Sequence, residues 1–192
     1  MRMRRTVFLL CVLCLVAASA VEASAQQYVQ GQVVGIGGRR AGLNLPFSLT
    51  VNNYTSADDV QQLNQALRSG GQDELMRVLS RLNAGRIAIG NNVGVTANAV
   101  IATPTAEGGT KLTVLYERNV AIFEMRYGTR SADYRFGYAE IYLDARGRGQ
   151  GTFIPAAKVK LEGDNNWVVE DFGEFPARLM GLRSSGRVGT AR

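Results

Sequence analysis

The chain has 192 residues, 22 lysines and arginines against 16 acids, no histidine and two cysteines. A His-dependent triad and imidazole ligation of a metal are therefore excluded. Both cysteines, Cys11 and Cys14, lie in the first apolar run, so thiol catalysis, thiolate ligation and disulfides are not expected beyond it.

The N-terminus reads as MRMRR, then an apolar run from Val7 to Ala18, then ASAVEASA. Positive, apolar and small-residue segments in that order predict a secretory signal peptide over residues 1–25, cleaved after Ala25 or alternatively after Ala20. The apolar run is twelve residues long, against about 20 for a membrane span. No transmembrane segment is expected after cleavage. The cysteines sit inside the apolar run rather than just after it, which argues against a lipid-anchored N-terminus. The expected location is secreted or periplasmic.

Cleavage removes Arg2, Arg4, Arg5 and Glu22, which leaves 19 basic and 15 acidic side chains and a mild charge of +4. Interspersed charge without a basic stripe makes nucleic acid a poor partner for an exported chain. The 167 residues that follow Ala25 can bury about 70% of their unfolded surface without disulfide staples. Residues 26–183 are read as a single α+β domain and residues 184–192 as a disordered basic tail.

Gln26 to Ala41 is glycine-rich and predicts a short first strand and a flexible turn. VVGIGGRR has Arg40 where a dinucleotide-binding turn needs its last glycine, and no βαβ unit follows. PFSLTVNN alternates Phe47, Leu49 and Val51 against Ser48, Thr50 and Asn52, the pattern of a strand. The period then changes. Ser56 is placed as an N-cap, with Asp58 and Asp59 in a first helical turn, where carboxylates favour the helix dipole. Val60, Leu63 and Leu67 form an apolar stripe, and Gly70-Gly71 reads as a helix end. QDELMRVLSRLNAG reads as a second helix with Leu75, Leu79 and Leu82 inward. The two predict a helical hairpin.

From Arg86 onward the pattern is β. RIAIG, the stretch after the Asn-Asn-Val-Gly turn, KLTVLYER, VAIFEMRY, FGYAEIYLD, TFIPAAKVKL and WVVEDF read as strands about ten residues apart, separated by glycine-rich turns. EFPARLMGLR fits either a short helix or an edge strand. The expected fold class is α+β: a curved antiparallel sheet of about six to eight strands with a two-helix hairpin packed on it. An outer-membrane barrel is disfavoured by the helices and by the lack of repeated lipid-facing alternation.

The tyrosine strand supplies the candidate site. Alternation puts Phe136, Tyr138, Glu140, Tyr142 and Asp144 on one side. Continuing the register across the Arg146-Gly147-Arg148 turn brings Lys158 and Lys160 to the same side, with Lys158 opposite Tyr138 or Phe136. Tyr138, Glu140, Tyr142, Lys158 and Lys160 are thus the candidate ligand-binding residues, with tyrosine rings to stack on a sugar or peptide and charges to orient it. Two other readings of this face stay open. One is a solvated sheet surface with cross-strand pairs; the other is an aromatic cup under the helices, near Trp167, with an apolar ligand in the middle. Glu117, Arg118, Glu124 and Arg126 read as cross-strand charge pairs. Glu170, Asp171 and Glu174 lack the spacing of a calcium loop. No catalytic motif, metal site or cofactor is expected.

The leading functional expectation is a small exported binding protein of the bacterial envelope or extracellular space. Its partner would be a small molecule, a glycan or an envelope protein. The alternative is a carboxylate-dependent hydrolase acting on a glycan or cell-wall polymer, with Glu140 paired to Glu124 or Asp171.

Overall fold

The computed structural model describes residues 26–37, 41–118 and 133–186. The segment expected to be a signal peptide, VAIFEMRY with Glu124 and Arg126, and most of the expected basic tail lie outside the described residues. Among the described residues there are ten strands and one helix. The strands are β1 (Gln27–Gly35), β2 (Asn44–Val51), β3 (Gly85–Ile89), β4 (Val95–Ala97), β5 (Ala99–Pro104), β6 (Thr110–Glu117), β7 (Phe136–Leu143), β8 (Arg148–Glu162), β9 (Asn166–Phe172) and β10 (Ala177–Ser185). The helix α1 spans Ala57–Leu79.

Every pairing is antiparallel, and the strand order is β4-β3-β2-β1-β10-β8-β7-β6-β5, with β9 added beside β8. The two ends of that order are consecutive in the chain, because only Asn98 separates β4 from β5. One stretch of chain therefore pairs with β3 in its first half and with β6 in its second. The sheet closes on itself as a barrel, with β4 and β5 sharing one stave of an eight-stave wall. Eight strands leave an interior that side chains can just fill.

They do fill it. One core cluster joins inward residues from all nine wall strands, among them Val29, Phe47, Leu49, Ile87, Leu112, Tyr116, Ile141, Phe153 and Leu179. Tyr116 lies over Gly137, where an added Cβ would come within 1.9 Å of the ring. Only glycine leaves room for that ring in the lumen. Ile141, Leu143 and Phe153 share this core, as the strand alternation predicts.

The expected two-helix hairpin is not present. Ser56 does cap the helix, its Oγ accepting from the Asp59 N–H at 3.1 Å. At the glycine pair, however, only Gly71 leaves helical space (φ 65, ψ −149), and the helix resumes at once. A reversal needs a loop of about two to five residues, so a single glycine bends the helix without folding it back. Both arms then pack on one target. Leu63, Leu75, Met76 and Leu79 bury against Leu115, Phe136, Tyr138, Ile154 and Trp167 on the outside of the barrel. Burying each leucine contributes about 1.5–3 kcal/mol. This second core explains why a single bent helix is retained.

β8 is long because it serves two structures. Its first half is a barrel stave between β10 and β7, and its second half leaves the wall and pairs with β9 under the helix. The helix holds the β8–β9 turn: Arg68 Nη2 donates to Gly163 O and Asp164 O, and Asn64 Nδ2 donates to Asp164 O and Asn165 Oδ1. β10 resolves the ambiguous C-terminal segment as a strand. It runs through Ser185, so Ser184 and Ser185 belong to the sheet, and Ser184 Oγ accepts from Gln27 Nε2 at 2.7 Å.

Candidate functional site

The structure divides the five residues expected to share a surface. Tyr138 faces Ile154 and Phe136 faces Ala157, so two residues on β7 span three on β8. The extra residue is a β-bulge, and it inverts the alternation of everything after it. Ala157 and Val159 turn toward the helix core, while Lys158 and Lys160 point out of the opposite face. There Lys158 pairs with Glu170 at 3.1 Å and Lys160 with Glu162 at 3.5 Å. The expected Tyr138–Lys158 juxtaposition does not form, because the bulge adds a residue within Ile154–Ala157, of which the sequence gives no sign.

Tyr138, Glu140 and Tyr142 do share a face, joined there by Lys111 of β6. Phe136 and Tyr138 are buried under α1 beside Trp167. The Tyr138 hydroxyl reaches Glu140 Oε2 at 3.0 Å and Trp167 O at 3.1 Å. Tyr142, further along the strand, is exposed and donates to Glu140 Oε1 at 2.6 Å. Lys111 Nζ lies 2.8 Å from Glu140 Oε2 and 5.8 Å from the centre of the Tyr142 ring.

The electrostatics follow from this packing. Burial alone would raise the Glu140 carboxyl, but hydrogen bonds from Lys111, Tyr142 and Tyr138 outweigh it and hold the group below its ordinary value. Burial, then the Glu140 charge, drives the Tyr138 phenol far above the ordinary range. The hydrogen bond to Glu140 pushes Tyr142 up to about 12. The cluster is an ionised carboxylate met by three donors of its own chain. It fastens β6 to β7 at the edge of the helix core. A general acid needs a raised carboxyl, and this one is lowered.

The other acidic candidates are also engaged. Asp171 Oδ2 accepts from the Tyr134 hydroxyl, and Glu170 takes Lys158. Arg118 Nη1 donates to Tyr134 O at 2.9 Å.

A feature missed in the sequence lies on the opposite side of the barrel. Stretches 26–57, 75–106 and 175–192 contain no aspartate or glutamate, yet carry nine arginines. Scattered along the chain, they look like interspersed charge. The topology places three of them, Arg86, Arg178 and Arg183, on one wall, because β10, β1, β2, β3 and β4 are consecutive staves drawn wholly from these stretches. The outer face of this wall presents Tyr28, Gln30 and Gln32 from β1, Asn44 and Ser48 from β2, and Arg178, Met180 and Arg183 from β10.

A shallow groove of about 760 Å³ runs along it, lined by Tyr28, Gln30, Gln32, Ser48, Met180 and Arg183 among others. A β-bulge on β10, where Gly181 and Leu182 stand opposite Gly31, shapes its floor. Arg178 and Arg183 are exposed and have no ion-pair partner among the described residues. Arg183 is also the register partner of exposed Arg148 on β8. Like charges placed directly across a strand pair are destabilising. Asp144 in the neighbouring turn accepts the backbone N–H groups of Arg146 and Arg148, both at 2.8 Å. No acid offsets Arg183 on the wall itself.

No family model, curated protein or solved structure matches the chain. Among the described residues no helix is long and apolar enough to cross a membrane.

Proposed function

We propose that the chain is exported and works as a binding protein that uses the outside of its barrel. The observation that carries this is the contrast between lumen and wall. The interior is occupied by side chains from every stave, which favours an outer-surface site over an enclosed one. The β10–β1–β2 wall meanwhile presents arginines without an ion-pair partner among the described residues and a groove of hydrogen-bonding side chains. Exposed charge with no ion-pair partner among the described residues supports an external, oppositely charged one.

The carboxylate-hydrolase alternative has less support, since Glu140 is held ionised and its oxygens are engaged by Lys111, Tyr138 and Tyr142.

The test expresses the full chain, fractionates the cells and determines the N-terminus of the recovered protein. Sedimentation of that protein with an envelope fraction is then compared with an Arg178→Glu/Arg183→Glu variant. The proposal expects export with cleavage near Ala25 and sedimentation that the double variant loses. Cytoplasmic retention, or equal sedimentation of both proteins, would refute it.

A further inference from the structure

We infer that the arginine wall takes an acidic polysaccharide, a glycan chain carrying carboxylate or sulfate groups. This rests on the exported-binder reading and adds the chemical class of the ligand. The charge side is carried by Arg178 and Arg183, exposed and unpaired among the described residues, with Arg148 facing Arg183. Guanidinium forks match carboxylate and sulfate oxygens in pairs, and an anion bridging Arg148 and Arg183 would relieve their repulsion.

Charge alone fits any polyanion; the groove narrows it. Gln30, Gln32 and Ser48 line it with uncharged groups that both donate and accept, the complement of ring hydroxyls. Tyr28 stands at one end of the same row, 38% exposed, with an aromatic face available to a sugar ring.

The dimensions favour a polymer. Arg178 and Arg183 stand opposite Val34 and Gln30, four positions apart on β1, roughly 13 Å along a strand. One anionic residue cannot bridge that span, whereas a chain with repeated charge can. Arg183 lines the groove, and Arg178 lies beyond Met180 on the same strand.

The experiment titrates the mature chain, residues 26–192, with size-defined polygalacturonate by calorimetry. Neutral dextran, a single-stranded oligonucleotide and phosphatidylglycerol vesicles serve as comparison ligands. The expected result is binding to polygalacturonate over all three, weakened about tenfold or more by Arg178→Glu/Arg183→Glu, as for loss of charge-assisted contacts. Tyr28→Ala should weaken it several-fold without changing its salt dependence, because that contact carries no charge. Thermal melts of the variants check that they remain folded.

Absence of binding, oligonucleotide or vesicle binding as tight as polygalacturonate binding, or indifference to Tyr28→Ala would each overturn the inference. If the chain sediments with the envelope in an Arg178/Arg183-dependent way yet ignores polygalacturonate, the binding function stands and the ligand class falls.

Discussion

Gln72 and Val159 exchange two hydrogen bonds across the helix–hairpin boundary. The Gln72 side-chain amide donates to Val159 O at 2.6 Å and accepts from the Val159 N–H at 3.2 Å. Here β8 has left the barrel and pairs only with β9, so its other edge is open. A single glutamine amide takes the place of the missing strand. Without it, two half-buried backbone groups lose their partners, at about 1–3 kcal/mol for an unmet group. Gln72→Ala is expected to lower unfolding free energy by that order in urea melts, and to raise amide exchange at Val159 selectively.

The same contact depends on the bend one residue earlier. Gly71 occupies φ 65, ψ −149, and an added Cβ would meet nothing within 4 Å. This backbone region is essentially reserved for glycine, so Gly71→Ala should cost about 1–3 kcal/mol from conformation alone. A variant of unchanged stability would show that the bend is not what seats Gln72 on β8.

These two residues mark where the sequence was readable and where it was not. The helix start at Ser56 and the strands around Phe47, Leu112 and Ile141 follow from capping and alternation, which are local. Gly70-Gly71 was ambiguous because the same glycine pair can end a helix or bend it. Packing of Leu75 and Leu79 onto the core that holds Leu63 decides the matter, and that is a tertiary fact. Closure of the sheet at Asn98 and the bulge before Ala157 leave no local mark either. The bulge moved Lys158 and Lys160 off the tyrosine face. The arginine wall was hidden because Gln30, Ser48 and Arg183 are distant in sequence and adjacent only through strand order.

Asn98 closes the seam. Its Nδ2 donates to Leu82 O at 3.1 Å, and its Oδ1 accepts from the Glu117 N–H at 2.9 Å. It is buried, at the point where the shared stave switches partners. Asn98→Ala should cost about 1–3 kcal/mol in a denaturant melt for the stranded groups. Asn98→Asp should be worse than alanine at neutral pH, because it buries a charge, and should recover as the pH falls.

The Glu140 cluster predicts a pH signature. The folded carboxyl lies below its ordinary value of 4.5. Its stabilisation is therefore present above that value and is lost as the pH falls through the lower, folded one. Glu140→Gln should be less stable than the parent at pH 7, and the gap should close in acid. At the alkaline end, Tyr142 titrates near 12 rather than its ordinary 10.0 because of its bond to Glu140. Its contribution is complete below 10 and is lost on rising through 12. Phenolate absorbance should show this delayed titration in the parent and its return toward 10 in Glu140→Gln.

Binding on the wall of a filled barrel is tested most directly by amide and side-chain NMR of residues 26–192 during titration with size-defined polygalacturonate. The shifts should concentrate at Tyr28, Gln30, Gln32, Met180 and Arg183, leaving the lumen residues Phe47, Leu112 and Tyr116 unmoved. Shifts centred on those lumen residues would contradict it.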